Sequence, residues 1–253
     1  MEIQASQRTT VPNLLARQLN YLEKHYPQIK IEALLQLARL QSMDRGKLPH
    51  RGPEQHNVEQ LGPWADANGG QGNDWHSIWN RKSENDGSSG GFVAIPILFN
   101  QAFRPGAESM PSLIPFLQDM GNCCFVHLCA LTCLAPGQTL HPHTDPGGCR
   151  NGFVTLNMLI NNVEGATLSL GRDDREWIAP VMTNGGLYLP VTREEVEYKH
   201  VPGQYYVYDA QRMHWAKNMG LEDRLVLTMV FQLFDPESPF RTQLTPISGD
   251  PDE

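Results

Sequence analysis

RLVLTMVFQLF, residues 224–234, is an apolar run of strand length that opens on a single arginine. Five further stretches upstream have the same character: 124–134, 152–160, 166–170, 186–190 and 204–209. In 152–160, Phe153, Leu156 and Met158 alternate with smaller or polar residues, as expected of a half-buried strand. Glycine and proline punctuate the joins at Pro136-Gly137, Pro146-Gly147-Gly148, Asn184-Gly185-Gly186 and Pro202-Gly203. Many short strands with turn signals between them predict a two-sheet barrel or jelly roll. No internal repeat is visible.

The N-terminal part reads differently. Leu14, Leu15, Leu19 and Leu22 within 13–26, then Ile31, Leu34, Leu35, Leu37 and Leu40 within 29–40, are spaced for two amphipathic helices parted at His25-Tyr26-Pro27. Residues 109–120 predict another helix, with Leu113, Ile114, Phe116 and Leu117 on its apolar side and Pro115 to kink it or delay its start. Residues 47–91 are dominated by Pro, Gly, Asn and Ser, broken by Trp64, Trp75 and Trp79. The tryptophans favour an ordered segment that covers something, with Trp75 and Trp79 as candidates to line a lid. The expected organisation is a helical and loop-rich region at 1–121, a β core at 122–235 and an extended tail at 236–253, all in one structural domain.

The formal charge of -8 and pI near 5.6 argue against a nucleic-acid partner. No apolar run approaches bilayer length, and the first ten residues lack a signal pattern, so a cytoplasmic protein without a membrane partner is expected. The five cysteines, at 123, 124, 129, 133 and 149, match no zinc knuckle and read as reduced, mostly buried thiols.

Chemistry concentrates at His141-Pro142-His143-Thr144-Asp145. On a strand, residues two apart face the same way, so His143 and Asp145 are able to grip one ion from one side. His214, far downstream, is a candidate to close the site. Two imidazoles and a carboxylate on one face suit a non-heme iron(II) centre with open positions for a chelating co-substrate and oxygen. An HxD tripeptide by itself also fits an ordinary turn with a His–Asp hydrogen bond. Arg224, ten residues beyond His214, is a candidate to hold a far carboxylate in a dry pocket, although a strand-edge arginine reaching for water has the same appearance. On a regular strand His141 would share the face of His143, as a substrate-facing or merely exposed histidine. His127 reads as a core histidine, Asp209 as a turn former or a group orienting His214, and Glu194, Glu195 and Glu197 as a solvated face. Trp215 is a candidate pocket wall, with plain packing equally open.

The segment TCLAPGQTLHPHTDPGGCR, residues 132–150, resembles the first metal-ligand region of the aspartyl/asparaginyl β-hydroxylase family of iron(II)- and 2-oxoglutarate-dependent oxygenases. YVYDAQRMHWAKNMGLEDRLVLTMVFQLFD, residues 206–235, resembles its second half, with the family's spacing between a distal histidine and an arginine. The resemblance covers about the last 110 residues and implies a double-stranded β-helix (jelly roll, cupin-like) core. It implies that His143 and His214 bind iron(II), that Arg224 binds the distal carboxylate of 2-oxoglutarate with help from the Thr132 hydroxyl, and that oxygen is the oxidant. Arg150 matches a family arginine and would meet a substrate or co-substrate carboxylate. The vertebrate peptide-modifying members carry glycine where this chain has Asp145; the aspartate restores a full His143–Asp145–His214 triad and argues against halogenation. The stretch between the histidines is also longer here, 172–199 being the extra material. A family Arg and His are replaced by Phe153 and Thr155, which leaves Asn157 as the candidate partner for the inner carboxylate.

The function so implied is hydroxylation of an unactivated C–H bond in a free amino acid or small amino-acid derivative. Peptide or protein side-chain hydroxylation, oxidative cyclisation or desaturation on the same iron, and a non-oxygenase metal-binding cupin are the alternatives. The sequence carries no reading of oligomeric state.

Overall fold

The computed structural model describes residues 3–45, 48, 50–51, 75–78, 91–99, 101–121, 124–143, 153–172, 181–182, 188–189, 194–209 and 212–233. In chain order the elements are α1 (Ile3–Gln41), β1 (His50–Arg51), β2 (His76–Ile78), β3 (Phe92–Phe99), β4 (Ala102–Phe103), two short 3-10 turns (Pro105–Ser109 and Pro111–Leu113) and α2 (Ile114–Gly121). Then follow β5 (Cys124–Leu134), β6 (Thr139–His143), β7 (Phe153–Leu159), β8 (Ala166–Leu170), β9 (Val181–Met182) and β10 (Tyr188–Leu189). The chain continues through β11 (Val196–Lys199), β12 (Tyr205–Asp209), β13 (His214–Asn218) and β14 (Arg224–Leu233).

Strands β5, β14, β7 and β12 lie side by side in the larger sheet, and β6, β13, β8 and β11 in the smaller. The two spatial orders follow one pattern, each strand of one sheet leading to its counterpart in the other. This is the eight-stranded jelly roll, or double-stranded β-helix, with β3, β2 and β1 extending the larger sheet beyond β5 and β9 and β10 extending it beyond β12. All pairings are antiparallel except β1 with β2.

Period-two alternation decides the two faces of the larger sheet. On β14, Leu225, Leu227, Met229 and Phe231 join the core shared with α1 and α2, together with Leu156 and Met158 of β7 and Tyr205 and Val207 of β12. The intervening residues, Arg224, Val226 and Thr228, turn to the opposite face, toward the smaller sheet. On β5, Val126 and Cys129 both join the helix-side core although three residues apart. A register shift opposite Val230 and Phe231 absorbs the extra residue.

The two expected N-terminal helices are one. Leu19, Leu22, Ile29, Ala33, Leu37 and Leu40 are buried in a single stripe that runs past Pro27, which is exposed. Burial of each such aliphatic is worth about 1.5–3 kcal/mol, enough to hold the helix across the missing proline hydrogen bond. Tyr26 donates to the Ile160 carbonyl at 3.0 Å and lies against Gly203, whose φ of +79° would strain any other residue and whose Cβ would come within 3.2 Å of the Tyr26 ring. The far end of α1 is clipped by Arg45 to Asp223, 2.6 Å apart. In the 109–120 segment, Pro115 does delay the α-helix, which starts at Ile114 after a 3-10 turn; Glu32 of α1 accepts from the Ser112 amide (3.1 Å) and hydroxyl (2.6 Å) there.

Trp75 is fully buried and donates from Nε1 to the Gln36 carbonyl at 3.1 Å, so it packs on α1 and lines no lid. Trp64 and Trp79 lie outside the described residues, as do most of 47–91 and the tail 236–253. Glu197 sits on β11 and is solvated as expected, but within a paired strand. Cys129 and Cys133 are buried free thiols, and burial pushes both thiol pKa values up. No helix among the described residues is long and apolar enough to cross a membrane.

Candidate active site

β6 and β13 are neighbours in the smaller sheet, and their register sets His214 directly opposite His143. The ring centroids are 4.3 Å apart. His143 Nδ1 lies 2.6 Å from the His141 carbonyl, and His214 Nδ1 lies 2.9 Å from the Arg212 carbonyl. A carbonyl only accepts, so each neutral ring must carry its proton on Nδ1. With the proton on Nδ1, the lone pair of each ring sits on Nε2, the atom a metal ion would take, and the backbone contacts lock tautomer and ring orientation as partners of metal-bound histidines do.

The strand holding His143 is not regular. The register moves from His214↔His143 to Ala216↔Leu140, which puts one extra residue on β6 at His141-Pro142. Proline has no N–H to give to a ladder, and it sits exposed at this bulge. The expectation that His141 shares the face of His143 is therefore corrected. Leu140 and His143 are the residues opposite the inward Ala216 and His214, and the His141 carbonyl is what reaches the site. Asp145 and Arg150 lie outside the described residues. Among the described residues, no three His, Cys, Asp or Glu side chains converge as a metal cluster.

Trp215 is also corrected. It pairs with Ser169 and alternates with the buried His214 and Ala216, so it is on the outer face of the smaller sheet, beside Gly171, and walls no pocket with His214.

A polar track leads from the histidines into the space between the sheets. Tyr208 of β12, fully buried, meets His214 edge-on at 5.0 Å between centroids. Its hydroxyl is 2.8 Å from Asn157 Nδ2, and Asn157 Oδ1 is buried without a partner among the described residues. Exchanging the amide nitrogen and oxygen lets Tyr208 donate to Oδ1 and frees the NH2 as a donor, the role expected of Asn157 toward a carboxylate. Thr132 is on the same face, but its hydroxyl engages β14 itself, 3.2 Å from both the Val226 carbonyl and Thr228 Oγ1. No hydrogen bond joins it to Arg224.

Arg224 is 4 % exposed at the start of β14. Its Nη2 lies 2.7 Å from His200 Nε2, and its Nε is buried without a partner. No carboxylate pairs with it among the described residues. Burial pulls the guanidinium pKa from 12.5 down to about 10, against the opposing influence of Tyr208 and Cys133. Burial first, and then the neighbouring Arg224 cation, hold His200 far below the usual imidazole range. A buried cation served only by a neutral ring is suited to an anionic ligand.

Tyr208 and His200 escaped the reading of the sequence, since YYVYD and EYKH look like ordinary strand ends. Only the alternation that turns Tyr206 and Tyr208 inward together hinted at them. Arg212, likewise unforeseen, is 1 % exposed and donates to the carbonyls of Gly171 and Glu194, each at 2.8 Å, which steadies the approach to His214.

No protein-family model and no curated protein matches this chain. Among solved structures it is similar to an oxidoreductase of the 2OG-Fe(II) oxygenase family from Burkholderia pseudomallei, at 12% identity and a TM-score of 0.40. That alignment covers 56% of this chain and 66% of the other, just under two thirds of its length. A Pseudomonas putida prolyl-4-hydroxylase is similar at 15% identity and a TM-score of 0.35, over 57% of this chain and 73% of that one. A cupin domain of an XRE family transcriptional regulator from Enterobacter cloacae aligns at 12% identity with a TM-score of 0.31, over 57% of this chain and 99% of the domain.

Proposed function

We propose that this protein is an iron(II)- and 2-oxoglutarate-dependent dioxygenase that hydroxylates a free amino acid or small amino-acid derivative. The observation that carries the reading is the His143–His214 pair, in register across two strands, with both Nδ1 atoms on backbone carbonyls and a buried, carboxylate-free Arg224 on the facing sheet. His143 and His214 would hold iron(II), with Asp145 as the third ligand expected from the sequence. Arg224 would bind the distal carboxylate of 2-oxoglutarate, and Asn157 would donate to the inner one. When bound, iron and 2-oxoglutarate supply the oxidising chemistry, with oxygen as oxidant and succinate and carbon dioxide as by-products.

The chain's own residues supply binding, orientation and dryness. Arg224 places a buried charge between the two sheets. Tyr208 holds Asn157 and packs edge-on against His214, and Leu168 and Leu170 with Tyr206 keep water from the space between the sheets. Arg150, by its resemblance, would take the α-carboxylate of an amino-acid substrate.

Anaerobic addition of iron(II) and 2-oxoglutarate should produce a weak visible charge-transfer band. Oxygen should then release succinate, and a screen of free amino acids, N-acyl amino acids and short peptides should raise the yield with the true substrate. Stimulation by peptides alone would replace the amino-acid reading with side-chain hydroxylation. No band and no succinate would remove the oxygenase reading and leave a metal-binding cupin.

A further inference from the structure

We propose that His200 is a positioning residue for the co-substrate: it orients the Arg224 guanidinium while leaving its positive charge undischarged for an incoming carboxylate. The inference rests on the function proposed above. His200 follows β11 in the smaller sheet and Arg224 opens β14 in the larger, so their 2.7 Å hydrogen bond spans the two sheets. Arginine only donates, so Nε2 of His200 must be the acceptor, and the ring is neutral with its proton on Nδ1.

The chemistry of that choice is specific. A carboxylate at position 200 would orient Arg224 equally well, but it would neutralise the cation and compete with the ligand. An apolar residue would preserve the charge but leave the fork free to turn. A neutral acceptor does neither. Nδ1 of His200 and Nε of Arg224 are both buried N–H groups without a partner among the described residues, so the pair presents unmet donors as well as charge. The backbone at this position is held by the His200 amide, which donates to the Ala166 carbonyl at 3.2 Å, and Tyr206, tilted against Tyr198 at 4.9 Å, lies 6.3 Å from the imidazole. His200 lies directly after the 172–199 stretch that lengthens this chain between the histidines.

The test uses the full chain loaded with manganese(II) in place of iron, titrated calorimetrically with 2-oxoglutarate, with melting temperature recorded for each variant. His200→Gln keeps a neutral acceptor and should bind within a few-fold of wild type. His200→Leu removes the acceptor and should bind roughly ten- to a hundredfold more weakly. His200→Asp should bind at least as weakly as His200→Leu while melting no lower than it, because the new ion pair satisfies Arg224 at the ligand's expense. Under turnover, His200→Leu and His200→Asp should raise the 2-oxoglutarate KM far more than they lower kcat, and His200→Gln should leave both close to wild type. Equal binding by wild type and His200→Asp would overturn the proposal. So would losses that merely follow melting temperature across the variants. If wild type itself binds no 2-oxoglutarate, the dioxygenase reading fails and this inference with it; wild-type binding with indifferent variants sinks the inference alone.

Discussion

Arg224→Met separates function from stability. The guanidinium is 4 % exposed, and burial pulls its pKa to about 10 from 12.5, a bias of roughly 3 kcal/mol against the charged form. Methionine is an unbranched apolar side chain with no charge to desolvate. Against the gain stands the lost hydrogen bond to His200, about 1–2 kcal/mol net. The balance is a stabilisation of about 1–2 kcal/mol, which for a chain of this size raises the Tm by roughly 2–8 °C. The same substitution should weaken 2-oxoglutarate binding by roughly a hundredfold or more. Differential scanning calorimetry reads both effects. At 2-oxoglutarate about a hundred times its Kd, wild-type protein gains about 2.7 kcal/mol from ligand, visible as a further rise in Tm. Arg224→Met should start higher and show no such rise. A lower starting Tm together with an undiminished ligand response would refute the reasoning, because Arg224 would then be a structural cation.

Two other outcomes follow from the geometry. His143→Ala and His214→Ala should each lower divalent-metal affinity by more than roughly a hundredfold in equilibrium dialysis, whereas Trp215→Phe, on the outer face, should leave it unchanged. The second concerns acid. His200 is held neutral in the fold, so its unfolded form binds the extra proton first; its contribution is intact above the ordinary imidazole range and is lost as pH falls below about 6.5. The expected loss approaches about 1.4 kcal/mol per pH unit, the limit for one proton, and comes to about 2 kcal/mol in urea midpoints between pH 7 and 5; His200→Leu should flatten that slope. An unchanged slope in His200→Leu would mean that other groups govern acid sensitivity.

Much of the architecture was legible along the chain. The strands at 124–134, 166–170 and 224–233 stand where apolar runs and Gly–Pro punctuation put them. Strands β3 and β11 were not foreseen, the first being interrupted by Pro96 and the second short and charged. The break expected at Pro27 failed because one continuous apolar stripe outweighs a single lost helix hydrogen bond. His141 and Trp215 were misjudged for a shared reason: facing depends on strand parity, and a one-residue bulge in β6 or a strict alternation in β13 reverses or preserves it without any local mark.

Residue chemistry and local periodicity belong to the sequence alone. Imidazoles at 143 and 214, an arginine ten residues further on and the run of short strands were all visible without coordinates. Partnership was not, because a strand's pattern shows which of its faces is buried but not which strand lies beside it. Only the pairing of β6 with β13 makes His143 and His214 neighbours, and only the facing of two sheets brings His200 to Arg224. The neutral imidazole that leaves a buried cation undischarged is thus a property of the closed jelly roll, where two chain segments of unremarkable composition are buried side by side.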